Sequence, residues 1–271
     1  MDMEPAVELS GAELRRGPRT LWSGLDLQVS PGEFIAVLGP NGSGKTTLLQ
    51  VLLGLLDLSA GTVAIHGSPP RRGNPTVGYI PQQRALDPLT PLRGRDLVGL
   101  GLDGHRWGPG LRGRSRRRER VAEALAQVDA LEYSDAPVGS LSGGEQQRLR
   151  VAQSLVGDPS LLLADEPLLS LDLARQRMVV DLVDRRRREH DTAVVFVTHE
   201  LNPVLPVVDR ILYLVEGEFR IGTPAEVMTS ENLSELYRTE VEVVRVRDRI
   251  LVVGAEESPL HCEEPVEAGV R

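Results

Sequence analysis

The sequence is almost without lysine and cysteine, and none of its apolar runs is long. Only Lys45 among the 31 basic residues is a lysine, and Cys262 is the single cysteine. One cysteine excludes an internal disulfide framework and is typical of a reducing compartment. Apolar runs such as 161–164 and 193–197 are far shorter than the roughly 18–20 residues that a membrane-spanning helix needs.

Positive charge is also in deficit, because 39 Asp and Glu residues outnumber 31 Lys and Arg residues and leave a net charge of −8. This balance argues against a bulk electrostatic affinity for nucleic acid, so no nucleic-acid partner is expected. The acidic start, residues 1–4, lacks the basic and then apolar order of a secretory signal. These absences predict a soluble intracellular protein.

Lys45 is the first candidate functional residue, because every other basic residue of the chain is arginine. GC-rich coding is the simplest explanation of this bias. A position that keeps lysine in such a chain needs a compact, rotatable ammonium group rather than a planar guanidinium.

Apolar segments separated by turn residues predict an α/β core with a largely parallel sheet. Residues 34–38 are apolar on both faces, as a central parallel strand is, and residues 48–56 are expected to form a helix. Further buried strands are predicted at 161–164, 193–198 and 211–215.

A helical insertion is predicted within this core, at about residues 87–157. Its basic run, 112–120, is interpreted as a solvated loop, with contact to anionic lipid or a membrane partner as the alternative. Apolar residues at helical spacing predict an amphipathic helix over 117–132. Beyond the core, 241–254 is predicted to be a small β-hairpin, and the acidic tail 255–271 is predicted to be disordered.

The segment from Gly39 to Thr47 has the pattern of a phosphate-binding loop between a strand and a helix. Its glycines let backbone N–H groups turn inward around an anion, and the following helix adds its dipole. Lys45 would reach the β- and γ-phosphates of a nucleotide, and the Thr46 hydroxyl would ligate Mg²⁺. The segment consists of Gly39, Pro40, Asn41, Gly42, Ser43, Gly44, Lys45, Thr46 and Thr47.

The loop by itself leaves kinases, GTPases and ATPases open. A GTPase needs an Asn-Lys-x-Asp segment to recognise its base, and this chain has no second lysine for it. Other motifs must therefore narrow the class.

Two other predicted strands end in groups capable of acid–base chemistry. Asp165 can hold Mg²⁺ or its water shell, and Glu166 can polarise an attacking water, although an isolated Asp-Glu pair is as often a solvated turn. His199 follows the strand at 193–198, at the edge that faces the ligand crevice in this fold class. Taken alone, a core or surface histidine is the more frequent interpretation.

A second glycine-opened helix start lies at Ser142-Gly143-Gly144-Glu145. It has the pattern of a capping box, so one interpretation is simply a well-capped helix. The other is a second helix N-terminus directed at an anion, too distant in sequence to belong to the first loop.

These motifs, in this order over residues 8–240, resemble the ATP-binding cassette (ABC) transporter ATPase family. The resemblance implies an ABC ATPase domain over residues 5–240. Its fold would be an α/β P-loop fold with a parallel core sheet, an N-terminal antiparallel β subdomain and a helical insertion. It also implies that the chain binds ATP and Mg²⁺ and couples ATP hydrolysis to transport.

The resemblance further assigns a role to each motif. Residues 39–47 would be the Walker A loop and Ser142 to Glu145 the signature, and ATP would lie between these two motifs in a head-to-tail homodimer. Integral membrane permease subunits would hold the dimer at the cytoplasmic side of the membrane. The remaining roles are a sensor of Mg²⁺ and of the membrane partner (Gln82), the Walker B aspartate (Asp165), the catalytic base (Glu166), the D-loop acid (Asp172) and the switch histidine (His199).

Two positions depart from the family pattern. Arg16 stands where an aromatic residue usually stacks on adenine, and it would either stack by cation–π contact or remain solvated. Leu169 stands where the family usually has a D-loop serine, so one hydrogen bond across the dimer would be missing.

No ATPase motif identifies the cargo, but several segments resemble the zinc/manganese importer branch of the family. They are 101–108, 198–206, 222–231 and 236–237. In such importers the metal passes through membrane subunits after capture by an extracellular binding protein, so the ATPase need not contact it. His261 and Cys262 offer metal ligands, but adjacent residues rarely close a tetrahedral site, so a solvated acidic tail is the preferred interpretation.

Three alternatives remain at this stage: an ABC ATPase for another cargo, a non-transport ABC protein acting on DNA or ribosomes, and a small-molecule kinase. The second class usually has tandem cassettes or long coiled coils, which this sequence lacks. A kinase explains neither Ser142–Glu145 nor His199.

Overall fold

The computed structural model describes residues 4–82, 87, 90–104, 114–169 and 171–254. This range contains eleven strands and seven α-helices. In chain order they are β1 (Val7–Arg16), β2 (Arg19–Val29), β3 (Phe34–Leu38), α1 (Lys45–Leu52), β4 (Ala60–Ile65), β5 (Val77–Ile80), α2 (Gly94–Asp103), α3 (Arg114–Gln127), α4 (Gly143–Leu155), β6 (Leu161–Asp165), α5 (Leu173–His190), β7 (Ala193–Val197), β8 (Arg210–Val215), β9 (Glu218–Gly222), α6 (Pro224–Val227), α7 (Ser230–Tyr237), β10 (Glu242–Val246) and β11 (Arg249–Val253).

The central sheet has six strands in the order β5-β6-β7-β3-β8-β9. The first five are parallel to one another, and β9 pairs with β8 in the antiparallel sense. Every residue of β3, β6 and β7 is buried, which explains why these strands are continuous apolar runs in the sequence. The expected α/β fold with a parallel core sheet is confirmed.

The two faces of this sheet pack into different hydrophobic cores. Along β3, Ile35 and Val37 belong to a core shared with α1 and the N-terminal strands, whereas Phe34 and Ala36 belong to one shared with α4 and α5. Successive side chains of a strand point to opposite faces, so a single apolar strand contributes to both cores.

The strands β1, β2 and β4 form a separate antiparallel sheet in the order β2-β1-β4. Its buried residues, including Trp22 and Leu25, pack with α1 against one face of the central sheet. Trp22 also forms an isolated bridge with Gly217 in the turn between β8 and β9. This confirms the N-terminal antiparallel β part of the expected fold and places β2 close to the central strands.

The insertion consists of α2, α3 and α4, and the structure corrects the interpretation of its basic run. Residues 114–120, the described part of that run, lie in the first turns of α3 and not in a loop. Arg117 pairs with Asp103 of α2 at 2.7 Å, and Arg120 pairs with Asp158 beyond α4. Two arginines of this helical run therefore have carboxylate partners on neighbouring elements.

The helix predicted over 117–132 is also shorter than expected, because α3 ends at Gln127. Asp129 has a φ of 50°, a left-handed conformation that stops the helix. Val128 is buried in the turn and Leu131 beyond it is 51% exposed. The apolar spacing extends past the end of the helix because Val128, although it lies in the turn, is also buried.

After the central sheet, the chain adds α6, α7 and the hairpin of β10 and β11. Asn202 attaches this hairpin to the core, since its side chain donates to Ile250 O at 3.0 Å and accepts from Ile250 N at 2.8 Å. The tail with His261 and Cys262 lies outside the described residues. Within the described ranges, the structure contains no helix of the length and apolarity that crossing a bilayer requires.

Candidate active site

Four adjacent strands bring the predicted residues to one edge of the central sheet. In the order β5, β6, β7 and β3, the strands are followed by Gln82, by Glu166 (after Asp165, the last residue of β6), by His199 and by the loop 39–44. The edge is closed by backbone hydrogen bonds, since Glu166 N donates to Val197 O at 2.9 Å and Thr198 N donates to Val37 O at 3.1 Å. Carboxyl ends of parallel strands therefore place groups distant in sequence side by side.

The loop between β3 and α1 requires glycine at two positions. Gly39 has a φ of 138°, and a Cβ atom there would lie 2.0 Å from Leu214 O. Gly44 has a φ of 100°, and its Cβ would lie 3.0 Å from Trp22 Nε1. Side chains at these positions would clash with β8 and β2, so the backbone turns tightly only because both residues are glycine.

Lys45, the first residue of α1, folds its ammonium group back over this loop. Its Nζ donates to Gly39 O at 2.7 Å and to Pro40 O at 2.9 Å, and the residue is only 5% exposed. Burial lowers the pKa of Lys45, while the nearby charges of Glu166 and Asp165 act in the opposite direction. A buried cation therefore lies at the centre of the loop.

The carboxylate of Asp165 faces α1. The Thr46 hydroxyl donates to Asp165 Oδ1 at 3.1 Å, and Asp165 is 1% exposed. Burial raises the pKa of Asp165, and the hydrogen bond from Thr46 partly offsets that effect. The neighbouring Glu166 has a φ of 48°, and its Oε2 accepts a 2.9 Å hydrogen bond from Gln82 Nε2. Gln82 and Glu166 are thus in direct contact.

The loop has the features expected of a site for a phosphate chain. Ser43 Oγ is buried and has no hydrogen-bond partner in the described part of the chain. It lies inside the loop, 3.0 Å from the position that a Cβ atom on Gly39 would take. Buried hydroxyl groups normally find partners, so this one fits a ligand oxygen. The hydroxyl of Thr46, the carboxylate of Asp165 and the amide of Gln82 supply the oxygen donors that Mg²⁺ prefers.

The capping box predicted at the start of α4 forms. Ser142 Oγ accepts from Glu145 N at 3.4 Å, and Glu145 Oε2 accepts from Ser142 N at 2.8 Å and from its hydroxyl at 2.6 Å. These hydrogen bonds lower the pKa of Glu145. Among the hydrogen bonds between described residues, none joins this helix start to the loop 39–47.

The start of α4 instead contacts the segment after β6. Gln147 Nε2 donates to Pro167 O at 3.0 Å, and a Cβ on Gly144 would lie 3.6 Å from Leu171. Further along, Asp172 caps α5 by accepting from Arg175 N at 2.9 Å. That hydrogen bond is the main cause of the lowered pKa of Asp172.

His199 lies beyond the end of β7 with a side chain that is 48% exposed. Its Nε2 is 3.9 Å from Glu200 Oε1. The backbone around it is held by Thr198, whose hydroxyl accepts from Glu200 N at 3.1 Å. The imidazole is therefore accessible at the same sheet edge as Glu166.

Arg16 lies exposed at the end of β1, and the structure shows a neighbour that sequence reasoning missed. The guanidinium near the loop belongs to Arg19, because a Cβ on Gly42 would lie 3.9 Å from Arg19 Nη1. Arg16 and Arg19 are register partners across the β1–β2 hairpin. The two-residue turn Gly17-Pro18 implies that Arg16 and Arg19 pair across the hairpin, and this pairing could have identified Arg19 from the sequence.

Comparison with known proteins gives consistent results. A family model described as ABC transporter matches residues 22–169. A solved ABC transporter described as of metal-chelate type, in an inward-facing conformation, is 25% identical with a TM-score of 0.76, covering 92% of this chain and 96% of that one.

Two further solved structures are similar. The ATP-binding cassette MJ0796, a dimer in a post-hydrolysis state bound to ADP and Pi, is 28% identical with a TM-score of 0.70, covering 80% of this chain and 98% of that one. CbiO1 from Clostridium perfringens, part of the ABC transporter complex CbiONQ, is 22% identical with a TM-score of 0.68, covering 86% and 94%. At this identity CbiO1 shows a shared fold only.

Proposed function

This chain belongs to the ABC transporter family and is the ATPase subunit of a transporter, and we propose that it drives the import of a divalent metal ion, zinc or manganese. The observation that carries the ATPase part is the row of four adjacent strand ends, which brings Gln82, Asp165, Glu166, His199 and the loop 39–47 to one edge. The choice of zinc or manganese as the cargo rests on the resemblance of segments 101–108, 198–206, 222–231 and 236–237 to the zinc/manganese importer branch.

We propose that the loop 39–47 binds the phosphate chain of ATP through its backbone N–H groups and through Lys45. The ammonium of Lys45 is already inside the loop, bonded to two carbonyl groups. A phosphate oxygen offers this buried cation a charged partner that the carbonyls do not. Arg16 is proposed to face the adenine end of the nucleotide, as the family resemblance implies.

Thr46, Asp165 and Gln82 are the residues that would hold Mg²⁺. When bound, the metal neutralises charge that develops on the phosphate oxygens. The hydrogen bond between Thr46 and Asp165 already keeps two of these oxygen donors in contact.

Glu166 is proposed to act as the general base. It accepts a proton from water as the water oxygen attacks the γ-phosphorus, while the bond to the bridging oxygen breaks to give ADP and phosphate. The hydrogen bond from Gln82 fixes the orientation of the carboxylate. His199, exposed at the same edge, is proposed to orient the attacking water and the terminal phosphate.

The signature residues Ser142, Gly143, Gly144 and Glu145 are proposed to complete the site of a second copy. Within one chain they make no hydrogen bond to the loop in the described residues, and the related cassette MJ0796 is a dimer. A head-to-tail homodimer would pair each loop with the partner's signature, with Asp172 at the contact between copies. Binding of ATP would then close the dimer, and hydrolysis would reopen it.

Integral membrane permease subunits are the proposed partners of this dimer, and an extracellular solute-binding protein would deliver the metal to them. The chain would then lie on the cytoplasmic side of the membrane, attached to those subunits. CbiO1, which shares the fold, is part of a transporter complex, and that assembly supports the proposal.

The test is to purify the chain with its membrane partners, reconstitute the complex in lipid vesicles, and measure ATPase activity with binding protein and each candidate cargo. We expect Zn²⁺ or Mn²⁺ to stimulate hydrolysis and to accumulate in the vesicles. The type of the inward-facing neighbour favours a second candidate, import of a chelated metal. Stimulation by a metal chelate and not by the free ions would support that candidate and refute the first.

A further inference from the structure

The start of β2 lies directly against the phosphate loop. A Cβ on Gly44 would lie 3.3 Å from Leu21 Cβ and 3.0 Å from Trp22 Nε1, and a Cβ on Gly42 would lie 3.9 Å from Arg19 Nη1. Leu21 and Trp22 are buried, whereas Arg19 is exposed. The strand therefore holds its apolar residues under the loop and brings a guanidinium to the middle of it.

The guanidinium of Arg19 has no partner within the described part of the chain. It makes no hydrogen bond or ion pair there, whereas the nearby Arg15 pairs with Glu13 at 2.5 Å. Its five N–H donors are consequently available to a ligand. A partnerless arginine on an open surface is ordinary, but this one lies beside a loop that binds anions.

A second cation lies opposite. Arg16 and Arg19 are directly paired in the register of β1 and β2, and like charges facing each other across an antiparallel pair are destabilising. The tip of this hairpin therefore has a positive potential that an anion would relieve. Lys45 inside the loop has the same sign.

We propose that Arg19 binds the phosphate chain of the nucleotide, as a second cationic ligand beside Lys45. This inference rests on the proposed ATPase function and adds to it a residue that the motif pattern does not contain. The planar fork of arginine forms paired hydrogen bonds with phosphate oxygens. Its distance from Gly42, in the middle of the loop, favours the phosphates over the base as its ligand.

The test compares affinities for MgADP and MgCDP, which the enzyme does not hydrolyse, by calorimetric titration of the full chain. The variants are Arg19→Ala, Arg19→Lys and the matched control Arg15→Ala, an exposed arginine on the same hairpin that pairs with Glu13. We expect Arg19→Ala to weaken both ligands by the same factor, about tenfold, as loss of a charged hydrogen bond implies. Arg19→Lys should recover part of the loss, and Arg15→Ala should change neither affinity.

Three other results would each overturn either this inference or the proposed function. A larger loss for ADP than for CDP would show that Arg19 stacks on the base, and unchanged affinities in Arg19→Ala would show that it is merely solvated. Either result overturns the inference and leaves the ATPase proposal intact. Failure of the parent chain to bind either nucleotide would instead refute the proposed function. Thermal unfolding of each variant separates these effects from misfolding, which is not expected at an exposed position.

Discussion

Lys45 and Asp165 are both buried, and the protein contacts around them do not fully offset the loss of water. Burial is the largest influence on both, lowering the pKa of the lysine and raising that of the aspartate. Each group is thus kept in an environment that disfavours its charged form. A polyphosphate and a divalent cation would supply the missing opposite charges, so the strain at these residues points to the ligand pair of the family.

Replacing Asp165 with Asn should stabilise the ligand-free protein and abolish its activity. In the unfolded chain this carboxyl titrates near its ordinary pKa of 3.8, and folding raises that pKa. The folded state therefore binds more protons than the unfolded chain above pH 3.8, so stability falls as pH rises from 3.8 through the raised pKa of the folded state. The amide has no such penalty and still accepts from Thr46.

Thermal unfolding across pH measures this effect. The melting temperature of Asp165→Asn should exceed that of the parent at pH 7, and the two values should converge as pH falls towards 4. ATPase activity should be lost at every pH. A variant that is less stable than the parent at pH 7 would contradict this account of the buried carboxylate.

Replacing Glu166 with Gln should remove hydrolysis and preserve ATP binding. The amide keeps the shape of the side chain and a hydrogen bond with Gln82 but accepts no proton, so the rate should fall by roughly 10²–10⁴-fold. An ATP-bound dimer should then accumulate in size-exclusion chromatography. The control is Glu200→Gln, an exposed acid at the same sheet edge, and sustained hydrolysis by Glu166→Gln would refute its assignment as the base.

At the scale of elements, the site depends on where strands end and on what lies beneath the loop between β3 and α1. The loop is held between Leu214 of β8 and Trp22 of β2, so strands from both sheets form its support. Asp158 similarly joins the insertion to the core, because it pairs with Arg120 of α3 and with Arg186 of α5. The loop between β3 and α1 and the helical insertion are thus each held in place by contacts with neighbouring elements.

Gly39→Ala tests the support of the loop. The added Cβ would lie 2.0 Å from Leu214 O at a φ of 138°, so the loop or β8 must move. We expect the variant to lose nucleotide affinity. We also expect its free energy of unfolding to fall by about 2 kcal/mol or more. Gly17→Ala is the matched control: its φ is also positive, at 60°, but nothing lies within 4 Å of the new Cβ.

Gly17→Ala should cost only about 1 kcal/mol and should leave nucleotide affinity unchanged. Chemical denaturation and nucleotide titration of both variants measure the difference. Equal effects of the two substitutions would show that positive φ, and not contact with β8, makes glycine necessary at position 39.

At the scale of the whole molecule, the proposed function requires two copies of the chain. The loop with Lys45 and the capped helix start at Ser142 are both proposed to bind an anion, and no hydrogen bond between described residues joins them. In the proposed head-to-tail dimer, each loop and the partner's helix start would contact the same ligand.

Mixing two inactive variants tests that arrangement. Lys45→Ala removes the cation of the loop, and Ser142→Asp keeps an N-cap but places a negative charge where phosphate should bind. Each variant alone should be inactive. A mixture should recover activity, about a quarter of the parent value, because half of the dimers are mixed and each has one intact site out of two.

ATPase assays of the separate and mixed variants, after incubation with ATP, give the result. A mixture as inactive as its components would contradict the shared site. Two copies of Lys45→Ala prepared separately and mixed are the control for simple concentration effects.

The sequence alone determined the glycine-containing loop 39–47, the capping box and the positions of the buried strands along the chain. Each of these depends on local chemistry: glycine and lysine spacing, a serine with a glutamate three residues later, and runs that are apolar on both faces. The sequence predicted a helix from 117 but not that it begins at Arg114 or ends at Gln127. Ion pairs of Arg117 with Asp103 and of Arg120 with Asp158 join the first part of this helix to distant elements, and local patterns do not contain those contacts.

Only the tertiary structure decided which distant residues meet. The strand order β5-β6-β7-β3 puts Gln82 in contact with Glu166, and the hairpin of β1 and β2 brings Arg19, not Arg16, to Gly42. Spacing along the chain cannot reveal these neighbours, because a parallel sheet orders its strands by crossover connections and not by sequence. Local chemistry therefore identified the parts of the site, and sheet topology assembled them.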